Sequence, residues 1–379
     1  MNTQEKNTYQ AQLLANRLQK NHKMLKKWAR KNRISCYRLY DKDIPEIPLA
    51  IDLYTFLPQD VTSKIEAAKF LMEQNSAISE NSPLASEYIL RQLQHTYILI
   101  YLYERPYEKD EAEEELWLKE MALSTGKTLG VDISHILTKT RRHQSDEGKR
   151  DQYEKLESSV KITGLTQEQG QLFKINLTDY IDTGLFFDHR PLRKTVRELS
   201  KGKSVLNLFC YTGSFSVYAA EGGAKRVESV DMSNTYIEWA KSNMELNGFT
   251  DKEKYIFTRQ DANGFLNQKN AEIENPEGTN RYDIIILDPP TFSNSKKTEH
   301  TLDINRDWPD LVKKCLSILN PKGTLYFSTN SRRLSFNPEL LPSDSQGKLQ
   351  CSWKDITAST IPEDYKNARI HRAWLITKN

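Results

Sequence analysis

Hydrophobic positions along this chain fall into two regimes that meet near residue 190. Beyond that point, short apolar runs rich in β-branched residues alternate with segments of helical periodicity. Residues 205–209 read as a buried strand, 215–221 as the start of a helix and 226–230 as a second strand. Ser233 stands where a cap would open a helix running to Asn247, and Gly248 stands where it would stop. Residues 255–258, 283–287 and 324–328 are the next strands; a helix over 308–319 and a turn at 320–323 precede the last of these, and 374–377 closes the series. Apolar runs without internal alternation mark strands covered on both faces, so the pattern predicts a doubly wound, mostly parallel sheet.

Before residue 190 the pattern is less regular. Leu14, Leu18, Leu25 and Trp28 recur at helical spacing, while 49–57, 96–103, 134–140 and 173–177 read as short strands. Residues 144–152 are polar throughout and read as an exposed loop or hairpin tip. A chain of 379 residues is too long for one core, since domains run to about 100–200 residues, so two domains are expected.

Charge sharpens this division. The formal net charge is only +3, but residues 1–38 carry ten Lys or Arg against Glu5 alone, whereas 108–120 are dominated by Asp and Glu. The first helix therefore combines an apolar stripe with a cationic outer side suited to a polyanion, and 108–120 read as a solvated acidic face. No run reaches the roughly 20 apolar residues of a membrane span. Residues 1–20 lack an apolar signal core, so a cytoplasmic protein is expected. Cys36, Cys210, Cys315 and Cys351 are widely spaced and no His-x-x-x-His pair occurs, so neither disulfide nor metal is expected.

Candidate chemistry gathers where the strands end. Residues 284–292 are an apolar run stopped by Asp288, Pro289, Pro290, Thr291 and Phe292. In open α/β sheets ligands bind beyond the carboxyl ends of strands, and the prolines fix a rigid backbone there. The first strand leads into a turn with a single glycine, Gly213, read as a close approach of backbone to ligand. Asp231 and Asp261 follow the second and third strands, where one carboxylate accepts ribose hydroxyls and the other an adenine amino group. The dinucleotide pattern Gly-x-Gly-x-x-Gly is absent, which weakens NAD and suits a nucleoside without pyrophosphate, S-adenosylmethionine being the obvious candidate.

Taken together, 207–215, Val230-Asp231-Met232-Ser233, Gln260-Asp261-Ala262 and Asp288-Pro289-Pro290-Thr291-Phe292-Ser293-Asn294-Ser295-Lys296 resemble class I SAM-dependent rRNA methyltransferases. Most narrowly the chain is similar to their RlmK branch, which makes 7-methylguanosine in 23S rRNA. Further matches at 16–18, 36–41, 176–180 and 182–190 extend the resemblance over nearly the whole chain. It implies a Rossmann-like α/β methyltransferase sheet of seven mostly parallel strands over 186–379, preceded by a smaller α+β RNA-binding domain over 1–185. It also implies cofactor contacts from Arg190, Asn207, Phe209, Tyr211, Thr212, Gly213, Asp231, Met232, Asp261, Ala262 and Asp288, and a catalytic loop of Asp288, Pro289, Pro290 and Phe292. RNA contacts fall to Arg17, Lys20, Lys27, Arg141, Arg142, Lys296 and Arg332, with 23S rRNA or a large-subunit precursor as partner. Two departures stand out. No THUMP and guanine-N2 methyltransferase half precedes, which leads us to expect a free-standing enzyme, and residues 58–94 look inserted.

The superfamily also contains cytosine-C5 enzymes, which add a cysteine thiolate to the ring. Here the fifth strand ends Phe327-Ser328-Thr329-Asn330-Ser331-Arg332 without cysteine; Cys315 reads as helix packing and Cys351 as part of a polar loop. Guanine N7 carries an in-plane lone pair and needs neither covalent step nor base, only positioning. Asp288 is thus read as an orienting acceptor, and Phe292 as a face for the base. Arg190 is read as a partner for the cofactor carboxylate or for Asp188 or Asp182, and His189 as packing or a spacer. An enzyme of other base specificity, and a non-catalytic RNA-binding protein, remain as alternatives.

Overall fold

The structure is a computed structural model and describes residues 2–80, 82–104, 109–141, 160–274, 281–293 and 301–379. The expected loop at 144–152 lies outside the described residues, as do Arg142 and Lys296. The chain forms two compact units, Met1–Phe187 with Glu363–Lys366, and Asp188–Pro362 with Asn367–Asn379.

In the first unit, helix α1 (Thr3–Lys31) opens with a capping box in which Asn2 and Glu5 exchange bonds, and it buries Leu14, Leu18, Leu25 and Ala29. Strands β1 (Cys36–Asp41) and β2 (Leu49–Thr55) pair antiparallel. Residues 58–94 supply a pair of helices, α2 (Lys64–Ser79) and α3 (Ala85–Gln94). Strand β3 (Thr96–Tyr103) then pairs antiparallel with β2 and parallel with β4 (Ile136–Arg141), which completes a sheet of order β1-β2-β3-β4. Between them runs α4 (Glu111–Leu129), capped by Asp110. The acidic stretch is therefore only half solvated. Its acids fill the first turn, where they complement the helix dipole, while Trp117 and Met121 are buried and Trp117 donates to Gln10 Oε1 at 2.7 Å. A hairpin of β5 (Thr163–Glu168) and β6 (Gln171–Asn176) follows. Glu363–Lys366 belongs to this unit: Asp364 accepts the Arg38 backbone N–H at 3.0 Å and Lys366 pairs with Asp43.

In the second unit the predicted alternation is realised. Its elements in order are α5 (Arg190–Leu199), β7 (Ser204–Leu208), α6 (Ser214–Glu221), β8 (Arg226–Asp231), α7 (Asn234–Leu246), β9 (Tyr255–Arg259), α8 (Ala262–Glu274) and β10 (Tyr282–Leu287). There follow β11 (Phe292–Ser293), β12 (Leu302–Asp303), α9 (Ile304–Ile318), β13 (Leu319–Thr329), β14 (Cys351–Asp355), α10 (Thr357–Thr360) and β15 (Arg372–Lys378). The seven-stranded sheet has the order β14-β15-β13-β10-β7-β8-β9, with β15 alone antiparallel to its neighbours. Its core holds Leu206, Leu208, Ile285, Leu287 and Phe327, with Trp374 stacked on Phe327 and Phe336 at 5.3 and 4.7 Å.

Two local readings are corrected. The turn at 320–323 is drawn into β13 as an irregularity, with Lys322 at φ 60° and a register slip opposite β10. Cys351 is not in a polar loop but is buried at the start of β14, whose outward Ser352, Trp353, Lys354 and Asp355 disguised an edge strand.

Candidate active site at the ends of the central strands

Strand β10 is held on both sides, by β7 and by β13, up to Leu287, which pairs with Leu208 and Phe327. Asp288 is the next residue, so its position is set by two parallel ladders. Ser328 Oγ on β13 donates to Asp288 Oδ1 at 2.6 Å, and His189 Nε2 lies 3.4 Å from Oδ2. The carboxylate keeps 28% of its side-chain surface exposed.

His189 caps the start of α5 and is 6% exposed. Burial pushes its pKa below the ordinary value despite the opposing pull of Asp288 and Asp188, so near neutral pH it is an uncharged imidazole. Nε2 faces Asp288, while Nδ1 is buried without a hydrogen-bond partner among the described residues. The ring stacks on His371 at 4.3 Å and 16°. His371 in turn reaches Asp188 Oδ2 at 3.0 Å and Thr360 Oγ1 at 2.9 Å. Burial opposes ionisation of Asp188, but His189, the hydrogen bond from His371 and Arg193 outweigh it and hold the carboxyl well below its usual range. The donor atoms of Asp188, His189 and His371 lie within 4.8 Å of one another. Near-parallel rings nevertheless send their in-plane lone pairs along separate planes, and both nitrogens of His371 are engaged.

His189, read in the sequence as packing or a hydrogen-bond spacer, lies against Asp288. Ser328 and His371 were not singled out in the sequence, and Asp188 only as an alternative partner for Arg190, because the contacts join positions 40 and 183 residues apart. The only local hint was that Asp188-His189-Arg190 immediately precedes the first strand-and-helix unit of the sheet.

The turn after β7 places Phe209, Tyr211 and Gly213 at φ 53°, 50° and 75°. For two non-glycine residues this left-handed backbone costs about 1 kcal/mol or more each. Asp231 holds the strained turn: Oδ2 accepts Tyr211 N–H at 3.0 Å and Oδ1 accepts Ser233 N–H at 2.9 Å. Burial raises the Asp231 pKa against these bonds. Gly213, read as a site of close ligand approach, also has a packing reason to be glycine. Its left-handed φ and packing on α7 demand glycine, because a Cβ there would lie 2.9 Å from Ala240 Cβ.

Other candidates occupy distinct places. Asn207 is buried and donates to Ser216 Oγ at 2.9 Å, which ties β7 to α6 beneath the turn. Thr212 is fully buried, and its carbonyl accepts from Asn243 at 2.9 Å. Asp261 accepts Gly264 N–H at 2.9 Å at the start of α8, with Ala262 buried beside it and Met232 half-buried after β8. Arg190 is 1% exposed. Pro289 is buried, Pro290 half-buried, Thr291 donates to Asn330 Oδ1 at 2.7 Å, and the Phe292 ring is 48% exposed, available as a face. Cys36, Cys210, Cys315 and Cys351 are all buried, and burial pushes the last three thiols up, so none is poised as a thiolate. Among the basic candidates, Lys20 and Lys27 are exposed on α1, Arg332 is exposed after β13, and Arg141 ends β4. Arg17 lies 3.4 Å from Asp43.

Known proteins share this fold. SMU.776, described as a methyltransferase and solved with SAH, superposes with a TM-score of 0.64 at 19% identity over 97% of this chain and 81% of that one. A structure described as a SAM-dependent methyltransferase from Streptococcus mutans gives 0.65 at 18% identity with the same coverage. Among curated sequences, the ribosomal RNA large subunit methyltransferase K/L of Shewanella pealeana is 40% identical over 364 residues, 96% of this chain and 43% of that protein. Its counterpart in Shewanella loihica is 40% identical over 367 residues, again 43% of its length, so the chain spans less than half of these relatives. Residues 98–346, from β3 to the loop beyond β13, match the family model for S-adenosylmethionine-dependent methyltransferases; the chain belongs to that family, with S-adenosylmethionine as its methyl donor.

Proposed function

We propose that this chain methylates N7 of a guanine in 23S ribosomal RNA, or in a precursor of the large subunit, by direct transfer. The carrying observation is the 40% identity, maintained over 96% of the chain, to a relative named for large-subunit rRNA methylation. Asp231 is assigned to the cofactor's ribose, Asp261 to its adenine and Arg190 to its carboxylate. The residues present fit such a group: the turn that Asp231 pins by two backbone bonds is formed before any ligand arrives. Bound there, S-adenosylmethionine would supply an electrophilic methyl group to the in-plane lone pair of guanine N7.

That nitrogen loses no proton, so the site needs an orienting acceptor and no base. Asp288 fits the requirement. Ser328 occupies one lone pair of Oδ1, and the remaining lone pairs are left for the guanine N1–H and N2–H edge. As positive charge passes onto the base, the neighbouring carboxylate also favours the change electrostatically. The raised thiol pKa values of Cys210, Cys315 and Cys351 argue against covalent addition to a pyrimidine. Guanine N7 faces the deep groove of A-form RNA, so the base must leave its helix, and the exposed Phe292 ring offers it a stacking surface.

The test is nucleoside mass mapping of rRNA from a deletion strain. One 7-methylguanosine should vanish from 23S rRNA and return with the wild-type gene but not with Asp288→Ala. An unaltered complement of methylated guanosines would overturn the assignment.

A further inference from the structure

The first unit contains a cavity of about 450 Å³ bounded by α1, the edge of the β1–β2 sheet and the helical pair α2–α3. One wall is cationic: Lys23, Lys26, Lys27 and Arg30 from α1, and Arg33 just beyond it. None of the five forms an ion pair among the described residues, and none of the residues lining the cavity is Asp or Glu. The opposite wall is apolar, with Phe70 and Ile78 of α2, Ile89 of α3 and Phe56 at its foot. Arg91 closes one end, lying 5.3 Å from the Phe70 ring centroid and 3.4 Å from Asp60.

Four like charges along about two turns of helix, with Arg33 just beyond, repel one another, and a bound anion relieves that repulsion. The apolar wall, in turn, suits a flat, weakly polar body. The interior is not purely greasy, however. Gln74 is only 6% exposed, and His22 Nδ1 is buried without a partner among the described residues. Burial, then Lys26, push the His22 pKa down, so its ring enters hydrogen bonding as a neutral imidazole. An acyl chain would leave these polar groups unsatisfied, whereas the edge of a nucleobase supplies donors and acceptors. The volume falls within the roughly 300–1,000 Å³ of small-molecule sites.

We infer that this cavity receives one unstacked nucleotide of single-stranded RNA, its base between α1 and α2–α3 and its flanking phosphates on the cations of α1. The inference rests on the rRNA reading above and adds a second recognition site to it. It also accounts for residues 58–94, because without α2 and α3 the basic helix would be an open face rather than one wall of a pocket.

The experiment measures binding of a fluorescently labelled 12-nucleotide single-stranded RNA by anisotropy over a range of salt. Two variants are compared with wild type, Lys26→Glu with Arg30→Glu, and Asn75→Trp, which fills the cavity from α2. Each should weaken RNA binding at least tenfold while leaving S-adenosylmethionine binding and the melting temperature unchanged. Loss of two phosphate contacts should lower the log–log salt slope by about 1.4 for the charge variant, with little change for Asn75→Trp. Affinity within twofold of wild type for both variants would overturn the inference, as would saturable oleate binding that Asn75→Trp alone abolishes. Failure of the broader reading looks different: the wild-type protein would then transfer no labelled methyl group to rRNA, whatever the variants bind.

Discussion

Replacing His189 by Phe separates what that ring contributes to folding from what it contributes to Asp288. His189 is 6% exposed, stacks on His371 and leaves Nδ1 without a partner among the described residues. Its folded pKa lies below the ordinary 6.5. Below that pH the unfolded chain therefore binds a proton that the folded chain refuses, and stability falls as pH falls. At pH 5.5, one unit lower, the unfolded state has gained about 1.4 kcal/mol from this group alone. Phe preserves the ring, its stacking on His371 and its contact with Phe215, and it cannot take up the proton. It also removes a buried nitrogen without a partner among the described residues, worth about 1–3 kcal/mol. The variant should match or exceed wild-type stability at pH 8, and between pH 8 and 5.5 its Tm should fall less than that of wild type, by up to about 6 °C, given about 2–4 °C per kcal/mol for a unit of this size. Calorimetric melts at the two pH values supply the numbers. Identical acid sensitivity in wild type and variant would refute the argument that His189 is buried as a neutral ring.

Further expectations concern the strand ends and the turn. Asp288→Asn keeps an acceptor for Ser328 but removes the charge; turnover should fall roughly 10- to 100-fold, from the 1.5–3 kcal/mol typical of hydrogen bonds to charged groups, with S-adenosylmethionine affinity held within about twofold by calorimetry. Gly213→Ala must tolerate φ 75° and a 2.9 Å approach to Ala240, so Tm should drop by at least about 4 °C and cofactor binding should weaken together with it. Cys210→Ala should retain turnover within about twofold, since a buried protonated thiol performs no nucleophilic step; loss of a covalent enzyme–RNA adduct in this variant would count against direct transfer.

How much of this was legible in the sequence depends on distance along the chain. The strand ends at Asp231, Asp261 and Asp288 follow from runs of β-branched residues and local turn chemistry, and Ser233 caps α7 as its position suggested. The polar ring of contacts around Asp288 is a different kind of object. Ser328 comes from β13 and His371 from just before β15, and no periodicity announces which strand lies beside which. Residues 351–355 concealed β14 because an edge strand buries only one residue here, Cys351. Gly213 was noticed as a close approach of backbone to ligand, while its packing against a helix was not visible. Glycine signals crowding or a left-handed backbone, and only coordinates reveal that the crowding partner is Ala240 on the neighbouring helix.

The double pairing of β10 carries a consequence for motion. Amides from Ile284 to Leu287 bond within a ladder flanked on both sides, in the most deeply covered part of the sheet. Such groups exchange with solvent hydrogen only when the whole unit opens, whereas loops exchange through small local fluctuations. Asp288 should thus follow backbone that exchanges slowly, while Phe292, four residues on, is about half exposed and held only by the short β11–β12 pair. The few residues between them join a fixed reference point to a lightly held surface.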